Sequence, residues 1–120
     1  MYNKAIMALI YFYDATELDR AQLTNALKDT DHHWEFVDEK ISLNNIVPEA
    51  EVVSVFVSSQ IDREMMEAMP NLKLIACRST GFNNIDMQTA SERNITVANV
   101  PSYGESTVAE YAFTLMLSLM

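Results

Sequence analysis

Glycine is scarce: the 120-residue chain has two, Gly81 and Gly104. A dinucleotide-cradling fingerprint, G-x-G-x-x-G, needs three close together, so no standard Rossmann loop is encoded. Cysteine is scarcer. Cys77 stands alone, which excludes an internal disulfide and a cysteine-built zinc site. Positive charge is short as well. Eight Lys and Arg face 17 Asp and Glu, and the net charge of −9 argues against electrostatic binding to nucleic acid or to an anionic membrane. No run approaches the ~20 apolar residues that span a bilayer. The apolar start, Met1 to Tyr13, has no small-residue cleavage site and turns polar at once. It reads as a buried strand, and the chain as cytoplasmic.

What is present is an ordinary globular composition, 49% hydrophobic and 21% charged, which excludes disorder as the main state. The length fits one domain able to bury roughly two-thirds of its unfolded surface. Short apolar runs alternate with amphipathic segments. AIMALIYF (5–12), HWEFV (33–37), VVSVFV (52–57), LKLIAC (72–77) and ITVAN (95–99) read as five strands. Between them, Asp14 with Glu17 suggests a capping box opening a helix to about Lys28. Residues 41–50 suggest a short helix or turn broken by Pro48. Asp62 suggests a cap for a helix carrying Met65, Met66 and Met69, and Asn84 or Asp86 a cap for one ending near Asn94. STVAEYAFTLMLSLM (106–120) reads as a helix apolar on almost every face. Strands alternating with helices predict an α/β fold: a flavodoxin-like, doubly wound, parallel five-stranded sheet with helices on both faces. In such sheets ligands bind beyond the carboxyl ends of the strands, which singles out residues 13–14, 58–60, 78–84 and 99–105.

RSTGFNN (78–84) is the most informative of these segments. Ser79, Thr80 and Gly81 place consecutive amides in a turn, with a glycine free to take positive φ, as an anion-holding nest requires. An ordinary strand-to-helix turn explains the glycine equally well. NVPSYGE (99–105) puts Tyr103 at the same edge, as a hydroxyl donor for a carboxylate or as a packed surface aromatic. His32 and His33 point to opposite faces of a strand and cannot chelate together. Cys77 reads as a small core hydrophobe. Met65, Met66, Met69, Met116 and Met120 read as packing, and no metal site is expected. A receiver domain is excluded, because Ser58-Ser59 and Asn99 stand where a phosphorylatable Asp and a Lys are required. A flavodoxin is excluded by Tyr13-Asp14-Ala15-Thr16, which supplies no phosphate loop.

Two stretches carry a specific likeness. LKLIACRSTGFNNID (72–86) and ITVANVPSYGESTVAEYAFTLMLSL (95–119), with VVSVFVSSQID (52–62), closely resemble the D-isomer-specific 2-hydroxyacid dehydrogenases, above all the D-lactate dehydrogenase branch. The resemblance implies a two-domain, NAD-dependent oxidoreductase acting on small 2-hydroxy or 2-oxo acids. It implies that residues 1–105 form its flavodoxin-like substrate domain and that 106–120 begin the interdomain helix. Thr80 and Gly81, with Ser79, would then offer the loop that holds the substrate carboxylate. Tyr103 would lie in the substrate site, and Thr107 would approach the cofactor. The family's Rossmann domain, catalytic Arg, Glu and His, and returning terminal segment have no counterpart in these residues. No catalytic residue is therefore expected in this chain. NAD is expected in a full-length enzyme and not on this chain alone, which is expected to be inactive. A homodimer through the last helix is expected, because that helix has lost the partner it would pack on. The rival expectation is a stand-alone, non-enzymatic module that binds small acids or self-associates. A reading frame that continues into G-x-G-x-x-G favours the first, and a stop codon after Met120 the second.

Overall fold

The computed structural model describes residues 7–101 and 105–119. Five strands form one parallel sheet: β1 (Leu9–Tyr13), β2 (His33–Val37), β3 (Val52–Val55), β4 (Leu74–Cys77) and β5 (Thr96–Ala98). Their order across the sheet is β2-β1-β3-β4-β5, the flavodoxin-like order. The chain moves one way from β1 to β2 and the other way from β3 to β5. The switch point therefore lies between β1 and β3.

Side-chain alternation sorts the two faces. Tyr11, Tyr13, Val53, Val55, Ile75 and Cys77 point into the main core with Met65, Met66, Met69, Leu72, Ile85, Ala90 and Ile95. These last residues come from and around α2 (Arg63–Glu67) and α3 (Met87–Glu92), so both helices cover that face. On the other face Ile10 and Phe12 are buried, and Phe12 stacks on Phe36 with ring centroids 5.3 Å apart. Arg20 of α1 (Glu17–Leu27) lies over the Phe36 ring at 5.0 Å, which places α1 there. Helices thus flank both faces, as the alternation of elements predicts.

Several boundaries differ from the sequence reading. The cap of α1 is Thr16, not Asp14. Thr16 and Asp19 exchange the two reciprocal bonds of a capping box. Asp14 cannot cap, because its N–H donates to the Val37 and Glu39 carbonyls and its backbone is left-handed, φ 54°. The stripe on α1 covers little: no residue of this helix is buried, and Leu18 is exposed. Residues 41–50 form turns and no helix. Asp62 caps α2 as expected, accepting from the Met65 N–H at 3.0 Å. Between the two candidates for α3, Asp86 is the cap, accepting from the Thr89 N–H and hydroxyl. The Thr89 hydroxyl holds the Asp86 carboxyl below the usual carboxylate range. Met65, Met66 and Met69 are core, whereas Met116 is exposed and Met120 lies outside the described residues. In α4 (Glu105–Ser118), every described side chain from Ala109 onward is exposed.

Candidate functional site

The carboxyl ends of β1, β3 and β4 converge on a cavity of about 560 Å³ lined by Asp14, Thr16, Asp19, Phe56, Val57, Ser58 and Arg78. It lies at the switch point, where adjacent crossovers diverge and leave a crevice. The 79–81 loop leaves β4 beside it. Beyond the ends of β3, β4 and β5, four large apolar side chains are exposed: Phe56, Val57, Phe82 and Val100. The edge thus combines polar backbone with an apolar rim, the composition of a small-molecule site.

The loop itself has an uneven hydrogen-bond pattern. The Ser79 carbonyl accepts from the Val100 N–H at 2.9 Å. The Thr80 carbonyl accepts from Asn99 Nδ2 at 2.7 Å. The Gly81 carbonyl accepts from the buried Ser79 hydroxyl at 2.8 Å. Three successive acceptors are engaged. Among the described residues, neither the Thr80 nor the Gly81 N–H has a partner. Both residues are exposed. Two backbone donors at the carboxyl edge are thus without a partner among the described residues, a pair suited to a carboxylate or another anion.

Gly81 does not use its freedom to take positive φ. A Cβ built there would meet nothing closer than Asn83 Oδ1 at 3.6 Å, an ordinary contact. The local backbone therefore places no demand on glycine. Among the described residues, the left-handed positions are Asp14 and Asn94.

Ser79, Thr80 and Gly81 follow one another in the loop beyond β4. Tyr103 lies outside the described residues. Thr107 falls within α4, and its side chain is likewise outside them. Cys77 is a buried free thiol whose pKa burial pushes up, which suits packing and not nucleophilic chemistry. The two histidines separate: His32 Nδ1 accepts from the Ala8 N–H at 3.0 Å, and His33 faces Glu35 at 3.1 Å. No cluster suited to a metal ion occurs among the described residues.

Sequence reasoning passed over Arg78. Its guanidinium donates to Ser54 Oγ at 2.9 Å and to the Tyr13 and Asp14 carbonyls at 2.6 and 2.9 Å. Burial lowers its pKa, opposed by the carboxylates of Asp19 and Asp14, and an arginine in this setting stays charged. The Asp14 carboxylate also accepts from the Ser58 hydroxyl. The one available signal was a charged residue directly after a buried strand.

Comparison with known proteins agrees with this architecture. The family described as D-isomer specific 2-hydroxyacid dehydrogenase, catalytic domain, matches residues 10–115. A Schizosaccharomyces pombe protein, 2-hydroxyacid dehydrogenase homolog 2, is 35% identical over 116 residues, covering 92% of this chain and 34% of the relative. A Thermotoga maritima hydroxypyruvate reductase is 41% identical over 80 residues, covering 67% of this chain and 26% of the relative. Among solved structures, Aquifex aeolicus D-lactate dehydrogenase complexed with NAD and lactic acid superposes with a TM-score of 0.79 at 31% identity. That alignment covers 92% of this chain and 33% of the solved one. The chain spans about a third of the length of such relatives. With the family's catalytic-domain pattern running through most of its length, the chain belongs to the D-isomer-specific 2-hydroxyacid dehydrogenases.

Proposed function

We propose that this chain is the substrate-binding part of an NAD-dependent oxidoreductase that interconverts a small 2-hydroxy acid, D-lactate first among them, and its 2-oxo acid. The observation that supports the reading is the 79–81 loop, whose three carbonyls are engaged while its Thr80 and Gly81 amides have no partner among the described residues. These amides hold the substrate carboxylate, Ser79 braces them from below, and Tyr103 donates from the neighbouring segment. Charge-assisted bonds of this kind contribute about 1.5–3 kcal/mol each. They fix the acid so that its C2 presents one face. The exposed Phe56, Val57, Phe82 and Val100 give the acid's carbon chain an apolar wall.

The residues present do not fit the nicotinamide cofactor, since Gly81 and Gly104 are the only glycines and cannot form a pyrophosphate loop. NAD chemistry supplies hydride in the full-length enzyme, with Thr107 approaching the cofactor. No residue here transfers the proton, so this chain alone is inactive and its part is to bind and orient. Residues 1–105 form the substrate domain and 106–120 begin the interdomain helix, in a cytoplasmic protein. No helix among the described residues is long and apolar enough to cross a membrane.

Self-association through α4 completes the reading. Tyr111, Phe113, Leu115, Met116, Leu117 and Leu119 are all exposed, and at ~25 cal/mol per Å² their burial in a homodimer is worth several kcal/mol.

Titration of the isotope-labelled chain with pyruvate or its analogue oxamate tests the site. The Thr80 and Gly81 amide resonances are expected to move, saturably, ahead of all others. Silence of both amides up to the solubility limit of the acid overturns the reading.

A further inference from the structure

We infer that Arg78 is a positioning residue, which sets the carboxylate-holding loop at the height of the β1 carboxyl end by clamping it across the switch point. The inference rests on the proposed role of Thr80 and Gly81.

Arg78 is the first residue beyond β4. Its own N–H extends the ladder to the Val55 carbonyl at 2.8 Å, so its backbone is placed by β3. Its side chain then crosses β3 and reaches β1. The guanidinium takes the Ser54 hydroxyl, itself almost fully buried, and the carbonyls of both Tyr13 and Asp14. One rigid fork thus joins three strand ends exactly where the crossovers part company. A point charge on a flexible stem cannot reproduce that fork.

The β1 end that receives it is unusual. Asp14 is left-handed at φ 54°, a conformation uncommon for a non-glycine residue. Such a residue persists only where its surroundings over-determine it. Asp14 has three anchors: its N–H to Val37 and Glu39, its carboxylate from Ser58, and its carbonyl from Arg78. The left-handed turn brings the last carbonyls of β1 to the guanidinium.

The clamp passes to the loop through one peptide unit. Ser79 follows Arg78 directly; its hydroxyl donates to the Gly81 carbonyl and its own carbonyl accepts from the Val100 N–H. Asn99 and Val100 hold the loop from the β5 side, and Arg78 holds it from the β1 side. Arg78 is not itself the anion receptor. Its donors are directed at neutral oxygens, and the carboxylates of Asp14 and Asp19 stand beside it in the same cavity. Attraction for a further anion at the guanidinium is largely cancelled there.

The test uses the chain carrying Arg78→Lys and, separately, Arg78→Ala, read by amide resonances without ligand, oxamate titration and thermal midpoint. Displacement of the free-state Asp14, Thr80 and Gly81 amides is expected, with the Ala90 and Ile95 amides unmoved. Oxamate affinity is expected to fall about tenfold or more in both variants, with the midpoint lowered by only a few degrees. Ethylguanidinium is expected to restore oxamate binding to Arg78→Ala, which a general loss of stability would not allow. If either variant unfolds, Ser54→Ala removes one leg of the fork and is expected to give a smaller displacement of the same amides. Amides at their wild-type positions with unchanged affinity overturn the inference. If the wild-type chain binds no 2-oxo acid, the proposed function fails by itself, and Arg78 is judged on the free-state amides alone: their staying in place overturns its role.

Discussion

Asn99 donates its side-chain amide to the Thr80 carbonyl at 2.7 Å, tying the end of β5 to the loop that leaves β4. The bond engages the acceptor of the Thr80 peptide from the β5 side. Replacing Asn99 with Ala is expected to weaken oxamate binding about five- to tenfold, in keeping with roughly 1 kcal/mol for one hydrogen bond that orders the site. The side chain is only half-buried, so the thermal midpoint is expected to stay within a few degrees. Oxamate titration of the variant beside the wild type decides it, and equal affinities would remove Asn99 from the site.

Gly81 offers a sharper separation of turn from site. With no positive φ and only an ordinary contact at its missing Cβ, Gly81→Ala is expected to leave stability within about 0.5 kcal/mol. A methyl group beside the 80–81 amides is nevertheless expected to obstruct a carboxylate. Denaturant unfolding with oxamate titration checks both halves. A large loss of stability would return Gly81 to a purely conformational role.

Tyr13 predicts the alkaline limit of the fold. Its ring is fully buried and its hydroxyl donates to the Asn45 carbonyl at 3.0 Å. Burial, with Tyr11 beside it, pushes its pKa up to about 12, against about 10 in an unfolded chain. Folding therefore favours the protonated phenol. That stabilisation is complete below pH ~10 and is lost as pH rises from there through 12. Burial raises Tyr11 too, with the same sign. Tyr13→Phe is expected to cost about 1 kcal/mol at neutral pH through the lost hydrogen bond. Between about pH 9.5 and 11.5 its urea midpoint is expected to fall less than that of the wild type. Parallel pH profiles would refute the assignment.

The exposed α4 predicts concentration-dependent assembly. Light scattering over a dilution series is expected to show a dimer that dissociates on dilution, with Leu115→Glu and Leu119→Glu together shifting it to monomer. A dimer indifferent to both changes places the interface elsewhere. A monomer at every concentration removes the dimer altogether.

Much of the fold was legible from local pattern. A parallel strand buried on both faces must be a short apolar run, and five such runs with helical punctuation leave few topologies. Asp62 announces its helix because an N-cap is chemistry within three residues. The carboxyl-edge rule then singles out segments from which Asp14, Ser58 and Arg78 line the cavity.

What local pattern left open depended on partners far along the chain. Both Asp14-x-x-Glu17 and Thr16-x-x-Asp19 satisfy the capping-box pattern. Thr16 prevails because the Asp14 N–H is taken by β2, a contact no short window contains. Arg78 went unnoticed because its three acceptors lie 24, 65 and 64 residues earlier in sequence. Glycine at 81 suggested a left-handed turn, whereas among the described residues the left-handed one at this edge is Asp14, just beyond β1. Residue types and their spacing were sufficient for the strands, the Asp62 cap and the family, because those follow from neighbours in sequence. Which carbonyls were engaged and which charge spanned the switch point were settled only when the parallel sheet brought the ends of β1, β3, β4 and β5 to one edge.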